Sequence, residues 1–256
     1  MERDTEFVNK WPTLGKAMVS GVESHDGREA QLLAYILSRD PIGPSNVLAT
    51  IDEFSLQEDF LISVGPKKAV ILRDLIMQEK PKVLVELGGY LGYSAVLFAD
   101  AMVKANGGEA EGDAELKIYS LELDPTFAVI ARKIAQIAGL EHIVEVIEGT
   151  AASSVTRLVE EGRITNVDFL FLDHVEELYE QDFKVVEALG VLRKEAVVVA
   201  DNVVRPGAPE YRDFIRGNLK VEEGWVSWGV KGLIWPGDFE DELEVSKFVG
   251  TGSNKH

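Results

Sequence analysis

The chain contains no cysteine, which excludes disulfide staples, zinc–thiolate sites and thiol nucleophiles. Positive charge is scarce: 26 Lys and Arg stand against 44 Asp and Glu, for a net charge of −18. A nucleic acid or an anionic membrane surface needs a basic face, so neither is expected as a partner. Long apolar runs are missing too. MERDTEFVNKWP has no apolar core of signal-peptide length, and no later stretch is uninterrupted enough to span a bilayer. A cytoplasmic protein is the expectation. Histidine is sparse: His25, His142 and His256 fall in loops or in the polar end GTGSNKH, where solvation is expected.

What is present is enough for one large α/β domain: 256 residues, 46% of them hydrophobic. Helical patterns around Glu29–Arg39, Asn46–Glu53 and Lys67–Gln78 come first. An alternation then begins, with strands at Val83–Glu86, Lys117–Leu123, Ile143–Ile147, Val167–Asp173 and Glu195–Ala200. Helices at Tyr93–Ala105, Thr126–Ala138, a stretch ending near Leu158, and Glu176–Leu189 separate them. Strands rich in Val, Ile and Leu, divided by amphipathic helices, predict a parallel sheet covered on both faces. After a helix at Tyr211–Arg216, β-like runs at Val221–Trp228 and Gly232–Trp235 are expected to close the sheet as an antiparallel hairpin. Asn106–Glu115 reads as a surface loop, and Lys67-Lys68 as a solvated pair at a helix start.

VELGGYLGYS, Val85 to Ser94, is a strand entering a glycine turn and then a helix. Glycine lets the backbone approach a ligand, and the helix start offers free N–H groups. No G-x-G-x-x-G is present, which disfavours a nicotinamide dinucleotide. Glu86, just before the first glycine, suits a cationic ligand. Glu122, ending the second strand in YSLELDP, suits the two hydroxyls of a ribose. An amino acid, a sulfonium and a ribose together describe S-adenosylmethionine. The bland alternative is a helix-capping loop beside surface glutamates.

The fourth strand ends at Asp173 and the fifth at Asp201-Asn202. Neighbouring parallel strands bring such tips close together. Two carboxylates and an amide oxygen are hard ligands that suit Mg²⁺. Alternatively, each Asp caps the helix that follows it.

In this order, VLVELGGYLGYSAV, LELDP, LFLDH, VLRKE and ADNVVRPGAP resemble the magnesium- and S-adenosylmethionine-dependent catechol O-methyltransferases, from about Glu29 to Gly237. The resemblance implies a Rossmann-like class I methyltransferase fold, with a mostly parallel seven-stranded sheet, helices on both faces and a C-terminal antiparallel hairpin. It implies an N-terminal extension over 1–28, a helical cap over 29–80, a core over 81–240 and a tail over 241–256. Val64, Glu86, Gly88, Tyr90 and Ser94 would line the methionine end of the cofactor. Glu122 would hold the ribose, Leu123 would pack on adenine, and Ala151, Asp173 and His174 would lie beside the cofactor. Asp173, Asp201 and Asn202 would hold Mg²⁺, with Asp173 and Asn202 also meeting the substrate. Phe60 and Pro206 would grip a flat aromatic diol, in a monomer or homodimer.

The pattern breaks in three places. The family's lysine base, three residues after the metal-binding aspartate, is Glu176 here, which is expected to act as base, metal ligand or solvated acid. Lys67, Lys68 and Lys231 are candidate replacements for the lysine. Ala151 and Ala152 stand where polar residues usually meet adenine. The acid that usually fixes the second hydroxyl has no clear counterpart, and Trp225 and Trp228 there are either core packing or a substrate wall. These departures motivate the alternative of a repurposed scaffold that binds the cofactor but catalyses something else.

Overall fold

The computed structural model describes residues 8–108, 116–237 and 239–250. Most of the Asn106–Glu115 loop, His256 and most of the polar C-terminal run lie outside the described residues. Seven strands form one sheet in the order β3-β2-β1-β4-β5-β7-β6. They are β1 (Val83–Leu87), β2 (Lys117–Glu122), β3 (Val144–Glu148), β4 (Val167–Leu172), β5 (Leu192–Ala200), β6 (Trp225–Leu233) and β7 (Glu240–Phe248). The first five run parallel. β7 then pairs antiparallel with both β5 and β6.

The period of two along each strand divides the core into two layers. Leu84, Ile118, Val146, Phe169, Phe171, Val197 and Val245 point to one face. There they meet α2 (Arg28–Arg39), α3 (Pro44–Gln57), α4 (Gly65–Glu79), α5 (Tyr93–Ala105) and α6 (Pro125–Ile137), after the short α1 (Pro12–Ser20). Val85, Leu87, Tyr119, Leu121, Leu170, Leu172 and Val198 point the other way. They meet α7 (Ala151–Glu160), α8 (Tyr179–Ala188) and α9 (Pro209–Arg216). The short α10 (Asn218–Glu222) leads into β6. Helix α5 is buried almost all round, from Tyr93 to Met102. Its alanines, Ala95, Ala99 and Ala101, let it sit close to the sheet while α3 and α4 cover its outer side.

Two expectations are corrected. The sheet is not closed by runs at 221–228 and 232–235: residues 218–222 are helical, and β6 is a single strand from Trp225 to Leu233. Its hairpin partner is β7, so 240–248 is sheet rather than tail. The alternating charges of EDELEVSKF hid this, because Asp241 and Glu244 are buried acids on that strand.

Between β1 and β4 the chain order reverses, with β2 and β3 laid out to one side and β5 to the other. In open α/β sheets the crevice beyond the C-terminal strand ends at such a reversal is where ligands bind.

Candidate functional site

The glycine loop leaves β1 at this reversal. Gly88 has φ +92, and a Cβ there would run into the carbonyl of Asp173 and lie 2.8 Å from the Cα of His174. Only glycine lets the loop lie against the tip of β4. Glu86 is fully buried behind it, accepting from Ser120 Oγ on β2. Its other oxygen, Oε1, has no hydrogen-bond partner among the described residues. Burial pushes the Glu86 carboxyl up to about 7, against the opposing pull of Ser120 and Ser94. A buried acid with a spare oxygen is a receptor for a cationic donor.

Glu122, at the end of β2, accepts from the backbone N–H of Tyr90 at 2.7 Å and of Asp124 at 2.8 Å. It ties the glycine loop to the second strand, and burial raises its carboxyl above the usual range. Asp124 caps α6 through Thr126 and Phe127. Leu123 between them is 66% exposed, an apolar surface at the sheet tip. Thr150 caps α7 and sets Ala151, half-buried, at its first turn. His174 Nε2 lies 2.9 Å from Asp182 Oδ2, while its buried Nδ1 has no partner among the described residues. Val64 is buried just before α4.

Asp173 and Asp201 are brought side by side: the Asp173 N–H bonds Leu87 O, and the Asp201 N–H bonds Leu172 O, both at 2.9 Å. Neither side chain caps the turn or helix after it. The half-buried Asp173 carboxylate makes no hydrogen bond or ion pair among the described residues. Burial raises its pKa well above the ordinary value, and Asp201, Glu86 and Glu176 each add to the rise. Asn202, at φ 57, donates its side-chain NH₂ to Arg205 O at 2.8 Å and to Asp241 Oδ2 at 3.1 Å. Glu176, half-buried in a short 3₁₀ turn, is raised by burial and then by its neighbours Glu177 and Asp201. Among the described residues no cluster of three or more His, Cys, Asp or Glu is arranged to hold a metal. The donors at this tip are two carboxylates and an amide.

Lys68 corrects another expectation. Far from being a solvated helix-start residue, it is 2% exposed and bonds Asp201 Oδ1, and Asp241 Oδ2 at 2.6 Å. Burial works against its charge, but the two carboxylates outweigh it and raise its pKa. Lys67 and Lys231 are exposed.

Phe60 packs with Leu14 and Ala17 of α1, flanked by Trp11 and Phe239. Arg205 lies over the Phe239 ring at 4.8 Å, and the exposed Pro206 follows it through a cis peptide. Trp225 is core, meeting Phe183 edge-on and Phe248 at a tilt, and Trp228 is exposed on the sheet edge. The tryptophan packed against the Phe60 cluster is instead Trp11, which meets Trp235 edge-on with ring centroids 5.8 Å apart. No sequence signal marked them, since neither lies in a motif. The remaining described histidines carry no site: His25 stacks on Phe127 at 4.6 Å.

A family model described as O-methyltransferase matches residues 43–213. The chain is 33% identical over 196 residues to a catechol O-methyltransferase of Bos taurus, covering 76% of this chain and 68% of the relative. It is 33% identical over 207 residues to catechol O-methyltransferase B of Danio rerio, covering 81% and 73%. Its fold is similar to that of an O-methyltransferase from Bacillus cereus in complex with SAH, with a TM-score of 0.62 at 22% identity over 94% of this chain and 99% of that one. No helix among the described residues is long and apolar enough to cross a membrane.

Proposed function

Because this chain belongs to the O-methyltransferase family, we propose that it moves the methyl group of S-adenosylmethionine to a hydroxyl of a catechol-like aromatic, with Mg²⁺ bound. The observation that carries this reading is the pairing of Asp173 with Asp201 at adjacent strand tips, beside the Gly88 loop. The donor set fits a hard dication. Asp173 has an uncommitted carboxylate whose charge its acidic neighbours disfavour, and Asn202 has its NH₂ engaged elsewhere, leaving its carbonyl oxygen for the ion.

S-adenosylmethionine supplies an electrophilic methyl group on a sulfonium. Glu86 would meet its ammonium, with Val64, Gly88, Tyr90 and Ser94 around the methionine end. Glu122 would take the ribose hydroxyls, and Leu123, Ala151 and His174 would enclose the base. Asp173, Asp201 and Asn202 would hold Mg²⁺, which would supply Lewis-acid stabilisation of a phenolate charge. Phe60 and Pro206 clamp the ring, so the attacking oxygen is already aligned before reaction. Glu176 accepts the phenol proton. Its raised pKa makes it a better base than an ordinary glutamate.

The test is to incubate the pure protein with S-adenosylmethionine, Mg²⁺ and a panel of catechols. Methyl ethers and S-adenosylhomocysteine should appear together and stop on chelation. Cofactor binding with no methyl loss on any acceptor would overturn the reading in favour of a repurposed scaffold.

A further inference from the structure

Asp241 gathers an unusual number of donors onto one buried carboxylate. It is 1% exposed on β7. Its Oδ2 accepts from Lys68 Nζ at 2.6 Å and from Asn202 Nδ2 at 3.1 Å. Its Oδ1 accepts from the backbone N–H of Val204 at 3.1 Å and of Arg205 at 2.8 Å. Three of these four donors belong to the loop that follows β5. The fourth, Lys68, reaches Asp241 from α4 and carries a second bond to Asp201.

The consequence for Asn202 is chemical. An amide can be turned over end for end, but both groups that meet its nitrogen, the Asp241 carboxylate and the Arg205 carbonyl, can only accept. The NH₂ is therefore fixed inward, and the carbonyl oxygen is the end left to face the ligand crevice. Asn202 also holds a left-handed backbone, which its surroundings must keep in place. Lys68 does the same for Asp201 by engaging Oδ1 and leaving the other oxygen uncommitted. The space Lys68 passes through is set by β6: a Cβ on Gly232 would come 2.9 Å from its Cγ.

We propose that Asp241, with Lys68, is a positioning residue for the metal-binding loop: it orients Asn202 and, through Lys68, Asp201, so that their free oxygens face Asp173. The proposal rests on the Mg²⁺ reading of that site. Partners that orient metal ligands change affinity by about 10–100-fold when removed.

The test uses the full chain and Mg²⁺ alone, titrated by calorimetry, with S-adenosylmethionine titrated separately. Asp241→Asn should weaken Mg²⁺ binding at least 10-fold and leave cofactor affinity within about twofold, because the partners of Asp241 are Lys68, Asn202, Val204 and Arg205, none of them a proposed cofactor residue. A general loss of structure would weaken both alike and would overturn the proposal, as would unchanged Mg²⁺ affinity. A wild-type protein that binds no Mg²⁺ would instead sink the metal reading itself. Hydrogen exchange tests the loop without metal: the Val204 and Arg205 amides should exchange at least 10-fold faster in Asp241→Asn, and the Asp173 amide should not change. Equal rates would overturn the proposal. Should Asp241→Asn fail to fold, Asp241→Glu keeps the charge while displacing the carboxylate, and the same split between Mg²⁺ and cofactor is expected. Its absence there is equally decisive.

Discussion

Two glutamates with raised pKa values carry opposite consequences. Glu86 is ionised with difficulty in the folded chain, its pKa lifted from 4.5 to about 7. The native state therefore holds a proton that the unfolded state has lost between those values, so stability falls as pH rises through that window. The loss from this one group is about 3 kcal/mol at 1.36 kcal/mol per unit. Melting temperature of the ligand-free protein should fall from pH 5 to pH 8, and Glu86→Gln should flatten that slope. A cationic ligand at Glu86 reverses the preference, so cofactor binding near pH 6.5 should release up to one proton, read from calorimetry in buffers of different ionisation heat. Glu176 must be ionised to accept a proton, so the rate should fall as pH drops through its raised pKa. Glu176→Gln should lower turnover about 100-fold, within the range for general bases, and abolish that acid limb. An unchanged pH profile would reduce Glu176 to a bystander.

At the scale of elements, the strand–loop–helix unit around Gly88 couples fold and site. Alanine at 88 meets two penalties together, a left-handed backbone costing about 1–2 kcal/mol and a Cβ against the β4 tip. Gly88→Ala should therefore lose at least about 2 kcal/mol of unfolding free energy and most cofactor affinity, measured by denaturant titration and fluorescence. Gly92 has φ +86 as well, but its nearest obstacle is the Ala131 backbone and side chain at 3.3 Å, so it governs the packing of α5 on α6. Pro44, Pro125 and Pro209 open their helices where a missing N–H costs nothing. Those boundaries were readable within two or three residues because capping and proline rules are local.

For the whole molecule, the two-faced sheet puts the Gly88 loop and the paired aspartates together beyond the C-terminal ends of its central parallel strands, so the proposed ligands should stabilise the fold jointly. S-adenosylmethionine at about 100 times its Kd should add about 2.7 kcal/mol, visible as a rise in Tm, and a nicotinamide dinucleotide should add none. Mg²⁺ should add a further rise that Asp173→Ala removes. A dinucleotide shift equal to that of S-adenosylmethionine would break the cofactor assignment.

The alternation of strand and helix, the glycine turn and the acids at strand tips were all legible in the sequence. Each is a pattern within a dozen residues, governed by periodicity, capping and backbone freedom. Lys68 read as a surface residue and Asp241 as part of a tail, because nothing near either one signals a partner. Their meeting at Asp201 depends on β7 inserting between β5 and β6, a strand order that local pattern does not encode. Only the assembled sheet brings residues 68, 201 and 241 within hydrogen-bond reach, and only burial there makes their charges mutually necessary.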